Sequence, residues 1–138
     1  MIKGIDNICD EYFNIKTVCE DNDSHYDRKI LSDYEATNYL SIEEIFKKYP
    51  FDKNDHLVDF GCGKGRIIIM AAYYSCKYIT GYELDTDRYL LLLENIKNFQ
   101  AKFQIDSFFS MFNVNVEKIE IDDTMNKFFF FNPFHLNI

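Results

Sequence analysis

Three glycines at alternate positions follow a short apolar run, and they restrict the fold of this chain more than any other feature. Gly61, Gly63 and Gly65 lie in the stretch LVDFGCGKGR, which occupies residues 57–66. Alternate glycines remove every Cβ from one side of a turn, so a ligand can lie directly against the backbone. The apolar residues after Gly65 predict a helix whose free N–H groups point at that ligand.

A second strand that ends in an acid follows the predicted helix. Residues 77–83 read KYITGYE, so the carboxylate of Glu83 stands at the tip of this strand. A carboxylate in that place can accept two hydrogen bonds from a ribose diol. The alternative is a tight turn whose glycines serve packing, with Glu83 as a solvated strand end, but this leaves the acid Asp59 unexplained. The combination favours a nucleoside-binding site.

The glycine spacing distinguishes between nucleosides. A dinucleotide fingerprint, G-x-G-x-x-G, would place its third glycine where this chain has Arg66. The observed pattern is D-x-G-x-G-x-G, and it begins at Asp59. An acid there suits a ligand that carries an ammonium group and is unfavourable beside a pyrophosphate. The pattern is also not a phosphate loop of the G-x-x-x-x-G-K-[ST] kind.

This arrangement resembles the class I S-adenosylmethionine-dependent methyltransferases over roughly residues 55–134. The family's first motif holds the methionyl part of its cofactor, and an acid after the second strand holds the ribose. The resemblance implies S-adenosylmethionine as the cofactor and methyl transfer as the activity. The residues that it assigns to the cofactor are Asp59, Gly61, Cys62, Gly63, Gly65, Glu83, Leu84, Asn115, Thr37 and Tyr34.

Several of these assignments have a structural alternative. The side-chain oxygen of Asn115 can accept from the adenine amine, or the residue is a polar loop position. The hydroxyls of Thr37 and of Tyr34 or Tyr39 can bind the cofactor's carboxylate, or this segment is a helix start with two core tyrosines. Lys64 and Arg66 can neutralise that carboxylate, or they face water in the first turn of a helix.

The end of the fourth predicted strand carries the candidate catalytic residues Asn132, Pro133 and Phe134. Amino-directed methyltransferases have Asn or Asp, two prolines and an aromatic residue there, and these bind a target amine. Asn132 and Pro133 match, whereas Phe134 takes the place of the second proline. The alternative is a strand followed by a turn that needs Asn and Pro.

Alternating strands and helices predict an α/β fold, a doubly wound parallel sheet, and the resemblance implies the strand order 3-2-1-4. We expect a lead-in segment over residues 1–33 with one short helix, and a cofactor-binding Rossmann-like domain over residues 34–138. Ser41 and Glu44 predict a capping box, with an earlier helix start near Asp33 as the alternative. Asp85 or Thr86 caps a later helix whose sheet-facing stripe is apolar. The predicted strands are 56–60, 77–83, 108–112 and 128–131, and the predicted helices are 34–49, 66–75 and 85–102, with an irregular piece at 116–121.

The fourth predicted strand reads FFFF and is apolar on both faces, as in a strand buried between two helix layers. Few residues follow it, so we expect the fold to be truncated after this strand. The chain is then a fragment of a longer enzyme, a homodimer through the exposed fourth-strand edge, or a reduced cofactor-binding half.

Composition narrows the classes of partner and the cellular location that the chain can have. The chain has 138 residues and a formal charge of −8, which disfavours nonspecific nucleic acid binding. Its four cysteines show no metal-binding spacing, so we expect no metal site. It has no apolar run long enough to cross a membrane and no evident signal peptide, which predicts a cytoplasmic protein with no membrane partner.

The leading hypothesis is therefore a methyltransferase that acts on an unidentified acceptor, with the partial match at Asn132 and Pro133 favouring a nitrogen on protein or nucleic acid. The alternative is a cofactor-binding or interaction module without catalytic activity. A nicotinamide oxidoreductase is disfavoured by the glycine spacing.

Overall fold

The structure of the protein is a computed structural model, and it describes residues 3–18 and 36–130. Four helices and four strands, with one 3-10 turn, make up the described part. In chain order they are α1 (Ile5–Phe13), α2 (Tyr39–Lys48), β1 (His56–Phe60), α3 (Arg66–Tyr73), β2 (Tyr78–Tyr82), α4 (Thr86–Lys102), β3 (Phe108–Phe112), a 3-10 helix (Val116–Lys118) and β4 (Lys127–Phe130).

The four strands form one parallel sheet in the order β3-β2-β1-β4. This confirms the predicted α/β class and strand order. Asp59 of β1 lies in register with Gly81 of β2 on one side and with Phe129 of β4 on the other. Connections from β1 therefore run to one side, whereas β4 is added on the other, and parallel sheets bind ligands where the order reverses in this way.

The ends of the helices follow from local capping. The side chain of Asn38 accepts a hydrogen bond from the Ser41 N–H and begins α2, so the predicted capping box at Ser41 and Glu44 is wrong. Ser41 lies within the helix, because Asn38 already takes the extended backbone of an N-cap. Asp85 caps α4 by accepting from the N–H groups of the next residues, which confirms one of the two predicted caps.

One face of the sheet is covered by the helices. Ile68, Leu92 and Phe99 come from α3 and α4 and are fully buried against it. Phe13 and Ile15 join the same core, so the described part of the lead-in segment packs onto the domain. The predicted sheet-facing stripe of α4 consists of Tyr89, Leu92, Leu93, Ile96 and Phe99. It is correct except at Leu93, which is 41% exposed because its position on the helix faces outward.

The other face of the sheet, called the open face below, is exposed at the outer strands β3 and β4. At its centre Val58, Phe60 and Tyr82 are buried. A 3-10 turn, rather than a full helix, lies in the connection between β3 and β4. As a result Phe128 and Phe130 are 42% and 62% exposed, so the predicted burial of the fourth strand on both faces is wrong for these residues. The outer edge of β4 pairs with no described strand. The homodimer through this edge stays a prediction.

Within residues 3–18 and 36–130, no helix combines the length and the apolar character that crossing a membrane requires.

Candidate functional site

The glycine turn between β1 and α3 depends on left-handed backbone. Gly61, Gly63 and Gly65 have φ angles of 73°, 56° and 94°, a region that side chains with a Cβ rarely adopt. At Gly65 a Cβ would also lie 2.4 Å from the Leu92 Cδ1 atom. Each of the three predicted glycines is therefore required by the backbone, and the turn presents peptide groups instead of side chains.

Hydrogen bonds hold this turn to the next strand. The carbonyl of Tyr82 accepts from the N–H groups of Gly61 and Cys62, at 2.8 and 2.9 Å. The Gly65 N–H donates to the Cys62 carbonyl at 3.0 Å, closing the turn. The glycine at the start of α3 provides no side-chain cap. The first N–H groups of this helix therefore have no side-chain partner at their own N-cap, which leaves them suited to a ligand.

Glu83 stands where β2 ends and faces the glycine turn. Its Oε1 accepts from the Gly63 N–H at 2.8 Å, and its Oε2 accepts from the Asp85 N–H at 3.0 Å. Burial raises the pKa of Glu83, while these two N–H groups and the Arg88 guanidinium oppose the rise. Each carboxylate oxygen has a further lone pair, so the side chain can still accept hydrogen bonds from a diol.

Asp59 is the most unusual residue of the site. It is 3% exposed, and none of the described residues donates a hydrogen bond to its carboxylate. Burial, and next the Glu83 carboxylate, raise the pKa of Asp59 well above its ordinary value. Buried polar groups are nearly always paired. A buried carboxylate without a donor beside an open turn is therefore suited to a cationic ligand.

Gly81 is a site residue that the sequence analysis missed. A Cβ there would lie 2.9 Å from both the Cys62 Sγ and the Met111 Sδ, so the absence of a side chain makes room for Cys62 in the turn. A glycine inside a strand is the signal that marks such a close approach. Burial raises the pKa of the Cys62 thiol well above its ordinary value, as do the Asp59 and Glu83 carboxylates, so Cys62 packs in the turn as a neutral thiol.

The two cations beside the turn do not face water. Lys64 and Arg66 are each 4% exposed, so the alternative that they face water in the first turn of a helix is wrong. The Arg66 guanidinium donates to the Thr17 Oγ1 at 2.7 Å, and to the Asp6 carboxylate and the Thr37 carbonyl at 3.0 Å each. Arg66 therefore binds the N-terminal segments, and Thr37 is brought next to the start of α3 through its backbone.

The loop after β3 is organised by asparagines. Asn113, which the sequence analysis did not assign to the site, donates from its Nδ2 to the carbonyls of Glu83 and Leu84 at 2.9 and 3.0 Å. Leu84 itself is 38% exposed at the edge of the site. The Asn115 Oδ1 accepts from the Glu117 N–H and caps the 3-10 helix. The adenine role of Asn115 stays a prediction.

Four predicted site residues lie outside the described part of the chain. They are Tyr34, Asn132, Pro133 and Phe134. Within the described residues, no group of three or more His, Cys, Asp or Glu side chains is arranged to hold a metal ion.

Comparison with known proteins gives likeness at the level of structure. No protein-family model matches the sequence, and no curated protein matches it. An RNA methyltransferase from Salinibacter ruber, solved with S-adenosyl-L-homocysteine, superposes with a TM-score of 0.52 at 21% identity, over 62% of this chain and 53% of its own. P. horikoshii TYW2, solved with MeSAdo, has a TM-score of 0.49 at 18% identity, over 90% of this chain and 52% of its own.

The first of these comparisons shows that the chain has the fold of a class I methyltransferase. The chain spans about half the length of each of the two structures.

Proposed function

We propose that this chain binds S-adenosylmethionine at the glycine turn and is the cofactor-binding part of a methyltransferase. The observation that carries the proposal is the Asp59 carboxylate, which is buried, lacks a donor among the described residues and lies two residues before the first of three left-handed glycines. The shared fold with a methyltransferase that holds S-adenosylhomocysteine supports this choice of cofactor.

Different residues of the described part bind different parts of the cofactor. Asp59 offers a negative charge to the ammonium group of the methionyl part, and the glycine turn lets that part approach the backbone. Glu83, at the tip of β2, accepts from the ribose hydroxyls. A dinucleotide would place a pyrophosphate beside Asp59, where two negative charges would repel each other in a buried environment.

The reaction asks little of the protein's own acids and bases. When bound, S-adenosylmethionine supplies a sulfonium-activated methyl group. The chain then has to orient the acceptor in line with that methyl group and exclude water. A nitrogen acceptor is the finer proposal, and it rests on Asn132 and Pro133, which lie outside the described residues. Under it, the lone pair of the acceptor nitrogen would form the new bond to the methyl carbon as the carbon–sulfur bond breaks, leaving S-adenosylhomocysteine, and the nitrogen's proton would pass to solvent.

Calorimetric titration with S-adenosylhomocysteine tests the cofactor. We expect saturable binding to the wild-type chain, loss of binding in Asp59→Ala, and wild-type affinity in Asp123→Ala, a control that removes an exposed acid. Tight binding of NADH in place of S-adenosylhomocysteine would overturn the proposal. So would unchanged affinity in Asp59→Ala.

A cofactor-binding module without transferase activity is the second candidate. It is favoured by Phe134, which stands where the resembled motif has its second proline. Incubation with methyl-labelled S-adenosylmethionine and pools of peptide, RNA and small amines separates the two candidates. Label transfer supports the enzyme, and binding without transfer to any pool supports the module.

A further inference from the structure

A buried amide on α4 connects the glycine turn to the N-terminal segment. Asn95 is 3% exposed. Its Oδ1 accepts from the Lys16 N–H at 2.9 Å, and its Nδ2 donates to the Lys16 carbonyl at 3.1 Å and to the Lys64 carbonyl at 2.8 Å. Both donor hydrogens and the acceptor of the amide are therefore in use, and all three bonds go to backbone.

The bond to Lys64 restrains one peptide of the glycine turn. The Lys64 carbonyl and the Gly65 N–H belong to the same planar peptide group. Asn95 holds this peptide by its oxygen, and the Cys62 carbonyl holds it by its N–H at 3.0 Å. A peptide that is bonded at both ends cannot rotate without breaking one of those bonds, so Asn95 restrains the direction of this one peptide group of the turn.

The bonds to Lys16 place the neighbouring residue, Thr17, in a second buried network. The Thr17 Oγ1 accepts from the Arg66 Nε at 2.7 Å and donates to the Asp10 Oδ1 at 2.6 Å. Asn95 from α4 and Arg66 from the start of α3 thus fix two consecutive residues of the N-terminal segment. Asn95 is also joined to the glycine turn by its hydrogen bond to the Lys64 carbonyl, and Arg66 directly follows Gly65 in the sequence.

Asn95 occupies a position where an apolar residue would be expected. Its neighbours on the buried stripe of α4 are Leu92, Ile96 and Phe99. Burying an amide is unfavourable unless every polar atom is paired, and here every atom is paired to a segment distant in sequence. This pattern is typical of a side chain that determines a backbone arrangement rather than one that only fills the core.

We propose that Asn95 is a positioning residue for the cofactor site. It fixes the peptide between Lys64 and Gly65 in the orientation that receives the ligand, and it couples that peptide to Lys16 and Thr17. The part of this inference that concerns the ligand rests on the proposed function. The part that concerns the turn can be measured without any ligand.

The test compares Asn95→Asp with Asn98→Asp. Both substitutions are isosteric and add the same charge to α4, but Asn98 is partly exposed. In Asn95→Asp a carboxylate faces two carbonyl oxygens and can no longer donate to them. In Asn95→Asp we expect amide hydrogen exchange at Gly65 to be at least about tenfold faster in the ligand-free protein. We also expect S-adenosylhomocysteine to bind about tenfold more weakly. The reason is that leaving a buried polar group unpaired changes an equilibrium constant by roughly tenfold or more. Asn98→Asp should match the wild type in both measurements.

A second pair covers the case in which Asn95→Asp does not fold. Asn95→Ser and Asn98→Ser carry no new charge and are compared in the same way. Phe46→Leu, in the core beside Phe51, supplies a variant that loses stability away from the turn, and its affinity and Gly65 exchange should not change while it is folded.

The outcomes separate the inference from the proposed function. If the wild type binds no S-adenosylhomocysteine but exchange at Gly65 still accelerates in the Asn95 variants alone, the proposed function fails and the positioning of the turn stands. If a folded Asn95 variant equals its Asn98 control in exchange and in affinity, the inference is overturned.

Discussion

The two faces of the sheet are built from the same strands and differ most at the outer strands β3 and β4. On the covered face, Ile79 of β2 is 1% exposed and packs in the core with Ile68 of α3, which is 0% exposed. On the open face, Phe108 and Phe130 are 58% and 62% exposed within the described part of the chain. Because successive strand residues point to opposite faces, exposed and half-buried residues alternate along β3, whereas residues 57–60 of β1 are buried on both faces.

The difference shows where the chain can support a precise site. Asp59 and Gly81 lie in register on the strands, and the space beside Gly81 is filled by Cys62, Met111 and Ile68. The covered face therefore supports the glycine turn with a dry, tightly packed layer. The open face instead carries a row of stacked rings with centroids 4.8 to 5.8 Å apart, formed by Phe130, Phe60, Tyr82 and Phe112.

Phe99→Ala gives the largest expected effect and tests the covered face. Phe99 is 0% exposed, so truncation should leave a cavity and lower the free energy of unfolding by about 3–5 kcal/mol. Urea denaturation followed by circular dichroism measures it. A loss below about 1 kcal/mol would mean that this face is not close-packed.

Glu83→Ala tests the predicted ligand site at the carboxyl end of β2. The variant removes acceptors for the ribose and also frees the N–H groups of Gly63 and Asp85. We expect binding of S-adenosylhomocysteine to weaken by roughly 1–3 kcal/mol. Calorimetry measures the change, with Glu120→Ala, an exposed acid, as the control. Equal affinities in both variants would remove Glu83 from the site.

Asp59→Asn tests how the buried carboxylate of the site makes the stability of the protein depend on pH. The pKa of Asp59 is raised in the folded state, so between the ordinary and the raised pKa the folded protein binds more protons than the unfolded chain. The stability contributed by this group is therefore present at low pH and is lost as pH rises through that interval. The wild type should lose up to about 1.4 kcal/mol per pH unit more than the variant. Urea titrations from pH 4 upward measure the two slopes, and parallel slopes would contradict the assignment.

Ligand affinity should change with pH in the opposite direction. A cation is held by the ionised form of Asp59, so wild-type binding should weaken as pH falls through the raised pKa. Calorimetry in buffers of different ionisation enthalpy would detect the proton that is released on binding. A pH-independent affinity would separate Asp59 from the ligand.

Phe130→Ala gives the smallest expected effect on folding. Its ring is 62% exposed and stacks on Phe60 at 4.8 Å, so the loss should stay near 0.5–1.5 kcal/mol, the usual value of an aromatic pair. Sedimentation velocity on the same variant tests the homodimer predicted for the β4 edge. If the wild-type protein sediments as a stable monomer at all concentrations, the dimer prediction is wrong.

The sequence by itself determined the order of elements, the glycine turn and the acid at the tip of β2. These features are local: a period of two or 3.6 residues, a left-handed turn that only glycine fits without strain, and an acid one strand later. The bounds of β1 and β3 were predicted to the residue for the same reason, and α4 ends at Lys102, close to where its end was predicted.

Only the tertiary structure decided which polar groups are buried together. Nothing in the local pattern shows that Asn95 meets Lys16 and Lys64, or that Arg66 turns away from water toward Thr17. These pairs join residues 31 to 79 positions apart, and a hydrogen bond over that separation depends on how helices pack rather than on propensity. The exposure of Phe130 has the same origin, because the strand pattern states that a residue is apolar, whereas the layers around the sheet determine whether it is covered.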